Sequence, residues 1–387
     1  MRSRAERVLR ACGSALALIA ACALAGDVVP FTSGEVARPA SEEEERAWSS
    51  ARDLDIAVVK GGLIYEDETL RRFVQGVTDR LFPEFRGRLR IRLLKSPQLN
   101  AFATADGGVF VNIGLLARFQ NEAQLAAVLA HEGTHFTHRH GYRGQQSVKS
   151  SAAWASVGNA LLIPVVPQLL ATSSIFGFSR ELEAEADRGA YLRLVQSGYD
   201  LREAPRVFEH LMRDVQAEDG KEPYFFASHP KLKDRLENMR RLTGTAVDGG
   251  DGASRTDYSR RLVQARVDNL EQELSMQRVR NALVVLEDPE RLRELPPGAE
   301  YYLGEAYRLR DGTGDVDRAK SAYRDAIESA PAFAPPHRAL ALLQLKGGDA
   351  KGAVIGFERY LQLAPDAKDR KHVESYLRTA RKRAETP

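Results

Sequence analysis

Cysteine is almost absent from this 387-residue chain, and the two that occur, Cys12 and Cys22, both lie near the N-terminus. Beyond residue 22, neither a disulfide framework nor a thiolate metal site can be built. An excess of one charge is missing too. Arg2, Arg4, Arg7 and Arg10, against the single acid Glu6, fall in the first 21 residues, and the rest of the 56 Lys+Arg and 53 Asp+Glu then balance. The formal net charge of +3 therefore comes from the N-terminus and does not argue for a nucleic-acid surface. Nor is there an unbroken run of the about 20 apolar residues that a membrane span needs. What is present is globular composition, 43% hydrophobic and 28% charged, in a chain long enough for two compact domains.

Residues 1–25 read as an export signal, with a basic region ending at Arg10 and an apolar run from Ala11 to Ala25 that is short for a span. Two cleavage readings stand side by side. Ala23-Leu24-Ala25 fits a signal-peptidase site before Gly26, whereas Ile19-Ala20-Ala21-Cys22 resembles a bacterial lipobox that would leave Cys22 lipidated. Either places the mature protein outside the cytoplasm.

Further along, Ser41-Glu42-Glu43-Glu44 predicts a capping box opening a helix towards Lys60, and a second helix is expected from Glu68 to Phe82, stopped by Pro83. Leu89–Leu93 alternates as a half-buried strand, and Val109–Ile113 follows the turn signal Asp106-Gly107-Gly108. The first domain, 40–245, is thus expected to be mainly α with a small β-sheet. Within it, Ser151–Phe178 is apolar but interrupted by Asn159, Pro164 and Pro167, which reads as a broken helical hairpin or lid and only weakly as an element touching a membrane. Residues 246–257, with Asp248-Gly249-Gly250-Asp251-Gly252, form a linker. Over 258–382 a period of 34 emerges. Ala319, Tyr323, Ala326 and Pro331 recur as Ala353, Phe357, Tyr360 and Pro365, the pattern of an all-α tetratricopeptide-repeat solenoid. Two units are too few to stand alone, so helices at 258–295 and 368–382 are expected to cap the array.

The chemistry centres on His131-Glu132-Gly133-Thr134-His135. From composition, a chance match has an expectation of about 2%. Asn121 with Gln124 offers a helix N-cap, and Gly141 can end the helix. On such a helix, histidines four apart leave one face and can bind one zinc at about 2.0–2.1 Å. Glu132 is rotated by about 100°, which places its carboxylate beside the metal as a general base for water. His138 and His140 follow, and a helix running on to Gly141 carries both away from the site. A third ligand must come from elsewhere, and the acidic stretch Glu181-Leu182-Glu183-Ala184-Glu185-Ala186-Asp187 can supply it. Glu181 and Glu185 read as a solvated face, while Glu183 and Asp187 share another.

The pairing of HExxH with a later Glu-x-x-Ala-Asp resembles the gluzincin metallopeptidases related to CAAX prenyl endopeptidase and the bacterial heat-shock membrane protease. With an export signal and a repeat tail, the chain is most similar to their periplasmic beta-barrel assembly-enhancing branch. The resemblance implies a zincin-like α+β protease domain with zinc on His131, His135 and Glu183, and catalytic roles for Glu132 and Asp187. It also draws attention to Ala227-Ser228-His229-Pro230, whose His229 either caps the zinc or is a buried structural histidine. Asn100-Ala101-Phe102-Ala103 is similar to the family's strand before the active-site helix, which aligns an extended substrate or is a plain hairpin. The implied partners are unfolded or misassembled proteins and, through the repeats, the outer-membrane beta-barrel assembly machinery. No nucleic acid is expected, and membrane association would come from a lipid anchor at Cys22. A zinc-binding, chaperone-like adaptor with a latent site is the competing class.

Overall fold

The computed structural model describes residues 28–148, 178–217, 232–244 and 255–385. Helix α1 (Glu42–Lys60) starts where Ser41 caps it, the hydroxyl accepting the Glu44 amide hydrogen at 3.2 Å. Only half of the expected capping box forms, because the Glu44 carboxylate takes the Ala40 amide at 2.7 Å rather than that of Ser41. Asp67 caps α2 (Glu68–Leu81) in the same way, and Pro83 opens a single 3-10 turn directly after it. Three strands follow: β1 (Arg90–Leu94), β2 (Ala101–Ala103) and β3 (Gly108–Asn112). Their order is β1-β3-β2, with β1 parallel and β2 antiparallel to the central strand, Ile91 opposite Val109 and Phe102 opposite Phe110.

A small sheet inside a helical body is what the sequence predicts, although the bounds of the two expected strands move by one residue. All five residues of β3 are buried, so no alternation marks its ends. Ile113 instead opens α3 (Ile113–Arg118). The next helix, α4 (Glu122–Thr137), is capped by Asn121, whose side chain accepts the Gln124 amide at 3.0 Å. Every residue of α4 is buried, which makes it the central helix rather than an amphipathic surface one. Four helices follow in the chain: α5 (His140–Val148), α6 (Arg180–Gln196), α7 (Glu203–Ala217) and α8 (Leu232–Thr243), of which α5 and α6 pack on α4.

The remaining described elements are helices: α9 (Arg255–Ser275), α10 (Val279–Leu286), α11 (Pro289–Leu292), α12 (Glu300–Arg310), α13 (Asp315–Ser329), α14 (Ala334–Lys346), α15 (Ala350–Leu363) and α16 (Arg370–Ala384). From α12 onward each helix packs on the next. Ala319, Tyr323, Ala353 and Phe357 are fully buried at their 34-residue spacing. A Cβ on Gly304 would fall 2.4 Å from the Tyr323 ring, so only glycine lets α12 and α13 approach this closely.

The chain divides into two compact units. The first holds the described residues of Met1–Leu115, Phe119–His210 and Glu222–Arg255, the second those of Leu116–Arg118, Leu211–Lys221 and Thr256–Pro387. Two early segments therefore belong to the second unit, which no linker signal announces. Inside it, the fully buried Arg118 donates from Nε to Asp214 Oδ1 at 2.8 Å and from Nη2 to Glu273 Oε1 at 3.3 Å and the Asn281 carbonyl at 3.2 Å. Removing one partner of such a cluster strands buried charge. Arg118→Ala is expected to lower the unfolding free energy by about 3–5 kcal/mol in urea denaturation, and a loss below about 1 kcal/mol would show that the cluster is dispensable.

Several expectations concern residues outside those described: the export signal with Cys22, the stretch Ser151–Phe178 apart from Phe178 itself, the linker as far as 254, and His229. Among the described residues, no helix is long and apolar enough to cross a membrane.

Candidate metal centre

His131 and His135, one turn apart on α4, turn their Nε2 atoms toward each other at 2.9 Å. Glu183, from the first turn of α6, closes the group. Its Oε2 lies 3.5 Å from His131 Nε2 and its Oε1 3.6 Å from His135 Nε2. Ligands held about 2.0–2.2 Å from one tetrahedral ion stand roughly 3.3–3.6 Å apart; the two histidine–carboxylate separations match that span, and the two imidazoles need open by only about half an ångström for the three buried side chains to hold a single metal ion. Two helices must come very close for this. A Cβ on Gly189 of α6 would sit 2.4 Å from Thr134 Cγ2 on α4. Gly189→Ala is therefore expected to push the helices apart and lower the unfolding free energy by about 1–3 kcal/mol, measured by urea denaturation; no change would mean that α6 accommodates the methyl.

Each imidazole is backed by a second group. Asp187, one turn beyond Glu183, places Oδ1 3.1 Å from His131 Nδ1 and accepts from Arg235 Nη2 at 2.8 Å. Arg235, on α8, is buried with its Nη2 3.0 Å from His131 Nδ1, its Nη1 3.5 Å from Glu183 Oε2, and its guanidinium 4.9 Å above the Phe208 ring. Burial would raise the Asp187 carboxyl, yet Arg235 and His131 hold it below the usual carboxylate range. Burial and Arg235 both oppose the charged form of His131, but the Asp187 and Glu183 carboxylates push it up to about 9. Glu132 is buried beside the pair, and its Oε2 accepts the Ala103 amide of β2 at 3.1 Å. A cleft of about 770 Å³ runs along α6 and α8, bordered by Arg180, Glu183, Asp187, Asp234 and Arg235.

The structure departs from the sequence reading at the end of α4. Gly141 does not terminate the helix. Thr137 does, and Arg139 takes a left-handed conformation with φ 58° before α5 begins. His140 consequently turns back instead of leaving, and its Nδ1 lies 3.0 Å from His135 Nδ1. Glu185 is not on a solvated face either. It pairs with Arg143 at 2.9 Å and stands 3.5 Å from His140 Nε2. Burial works against its charge, but His140 and Arg143 bring its carboxyl down to about 2. Phe178 stacks on His135 with ring centroids 4.0 Å apart.

His140 and Arg235 are the residues that sequence reasoning missed. For Arg235 there was a usable signal: Leu232, Leu236, Met239 and Thr243 form the buried stripe of α8, and Arg235 interrupts it with a charge. For His140 the helix period pointed the wrong way.

Residues 65–243 match the family model described as Peptidase family M48. The chain carries an M48 metallopeptidase domain. It is 32% identical over 161 residues to the beta-barrel assembly-enhancing protease of Escherichia coli strain K12, covering 38% of this chain and 33% of that one. To the Yersinia pestis protein of the same name it is 31% identical over 194 residues, 46% of this chain and 40% of the relative. To the mitochondrial metalloendopeptidase OMA1 of Arabidopsis thaliana it is 36% identical over 125 residues, 31% and 25% of the two chains. The matches with the first of these relatives span about a third of their length. The matched residues contain all seven buried ionisable side chains just described, from His131 to Arg235.

Proposed function

We propose that the chain is a zinc-dependent endopeptidase acting on unfolded or misassembled proteins in the bacterial envelope. One observation carries this reading: His131, His135 and Glu183 converge on a common point with the Glu132 carboxylate buried beside them. Two imidazoles and one carboxylate form a donor set suited to zinc, and three protein ligands are the number found in catalytic rather than structural sites. Zinc held there would supply a Lewis acid that polarises the scissile carbonyl and acidifies water. Glu132, steadied by the Ala103 amide, takes the proton of the attacking water and passes it to the leaving amine. Asp187 holds the His131 ring through Nδ1, and Arg235 balances the charge of Asp187. The edge strand β2 can align an extended substrate by backbone pairing.

The Ser228-His229-Pro230 match supports His229 as a removable fourth ligand. The buried 34-residue pattern of α12–α15 supports a tetratricopeptide-repeat array in the second unit. Such an array would dock a partner, and the names of the bacterial relatives favour the outer-membrane beta-barrel assembly machinery. The lipobox-like Ile19-Ala20-Ala21-Cys22 supports an exported protein anchored by lipid at Cys22. The test of the core reading is metal removal. Purified chain should carry about one zinc and cleave casein, lose cleavage with phenanthroline, and regain it with zinc. Cleavage that persists after zinc is gone would overturn the assignment.

A further inference from the structure

We propose that the Glu44–Arg139 ion pair is a positioning device for His135: it holds the left-handed turn that swings His140 onto the back of that imidazole. The inference rests on the reading above that His135 is a metal ligand. Had α4 continued regularly, residue 140 would lie about 140° around the axis from His135 and about 7.5 Å further along. The two rings could not then meet. They do meet, with centroids 4.9 Å apart, because the chain leaves the helix and reverses at Arg139.

A non-glycine residue at φ 58° is disfavoured by its own Cβ, so it persists only where its surroundings over-determine it. They do so here. The Arg139 side chain is 9% exposed, and Glu44 is 2% exposed. Nε and Nη2 donate to the two Glu44 carboxylate oxygens at 2.9 and 2.5 Å, and Nη1 donates to the Val29 carbonyl at 3.1 Å. The guanidinium lies 5.0 Å over the Phe31 ring. Phe31 in turn donates its amide to the Thr137 carbonyl at 2.8 Å, and its ring sits 5.5 Å from Phe136. The segment before α1 thus clamps the last turn of the metal-binding helix.

The consequence lies on the far side of the turn. A histidine ligand needs an unprotonated nitrogen toward the metal, and the hydrogen bond made by its other nitrogen selects that tautomer. With His140 Nδ1 as acceptor, His135 carries its proton on Nδ1 and presents a bare Nε2 to Glu183 and His131. His140 is itself steadied, its Nε2 3.5 Å from a Glu185 oxygen that also accepts from Arg143 at 2.9 Å. The Glu44 carboxylate on α1 is therefore connected through Arg139, His140 and His135 to the lone pair that would bind zinc.

The experiment uses the full chain and three variants, Glu44→Gln, Arg139→Ala and Arg139→Gly. Two quantities are read: the rate at which zinc is lost to a chromogenic chelator, and the imidazole tautomers of the metal-free protein in long-range proton–nitrogen spectra. Glu44→Gln and Arg139→Ala should lose zinc about 10–100-fold faster than wild type, the range for groups that orient a ligand, and should lose the Nδ1–H signature of His135. Arg139→Gly removes the ion pair but tolerates the left-handed turn, so it should fall closer to wild type on both measures. It also covers the case in which Arg139→Ala fails to fold. Wild-type tautomers and zinc-loss rates in Arg139→Ala, or equal defects in the Gly and Ala variants, would overturn the proposal. If wild type itself bound no zinc, the metal assignment would fall, while the metal-free spectra would still decide whether the clamp orients His135.

Discussion

Glu132→Gln should retain the wild-type zinc content and hydrolyse casein at least ~100-fold more slowly, the low end for loss of a general base. Position 132 is offset by about 100° from His131 on α4, and it is not among the three converging ligands. Glutamine preserves its size, and the amide oxygen can still accept the Ala103 hydrogen that the carboxylate accepts at 3.1 Å. Packing and the tie to β2 therefore survive, and what disappears is the ability to take a proton. A variant that lost zinc along with activity would point to a structural role for the carboxylate. One that cleaved at the wild-type rate would place the base elsewhere.

His135→Ala should have the other large effect, abolishing both zinc and hydrolysis. The remaining donors, His131 and Glu183, are too few to hold an ion in competition with water and chelators. Its stability should report the same event. A ligand that binds only the folded state raises the unfolding midpoint, so phenanthroline should lower the midpoint of wild type and leave that of His135→Ala where it is. A variant that kept near-unit zinc would show that the ion sits elsewhere. A chelator-insensitive wild type would show that zinc does not stabilise the fold. Asp187→Asn should be milder, weakening zinc by about 10–100-fold, because it orients His131 without joining the ligand set.

The spacing of His131 and His135 determined by itself that the two imidazoles meet, because four residues on a helix put two rings on one face whatever surrounds them. The same arithmetic placed Glu183 and Asp187 together, and the Asn121 and Ser41 caps are local hydrogen bonds that their own residues specify. Buried repeats at a spacing of 34 were visible for the same reason, as small residues must sit where helices touch. Tertiary structure alone decided the rest. Arg139 leaves the helix because Glu44, 95 positions earlier, holds its guanidinium, and no local period encodes a contact of that separation. His140 is brought back to His135 by that turn, and Arg235 reaches Asp187 from a helix 48 residues away. Leu116–Arg118 joins the second unit because a buried guanidinium must find carboxylates, and Asp214 and Glu273 lie where folding, not sequence order, puts them.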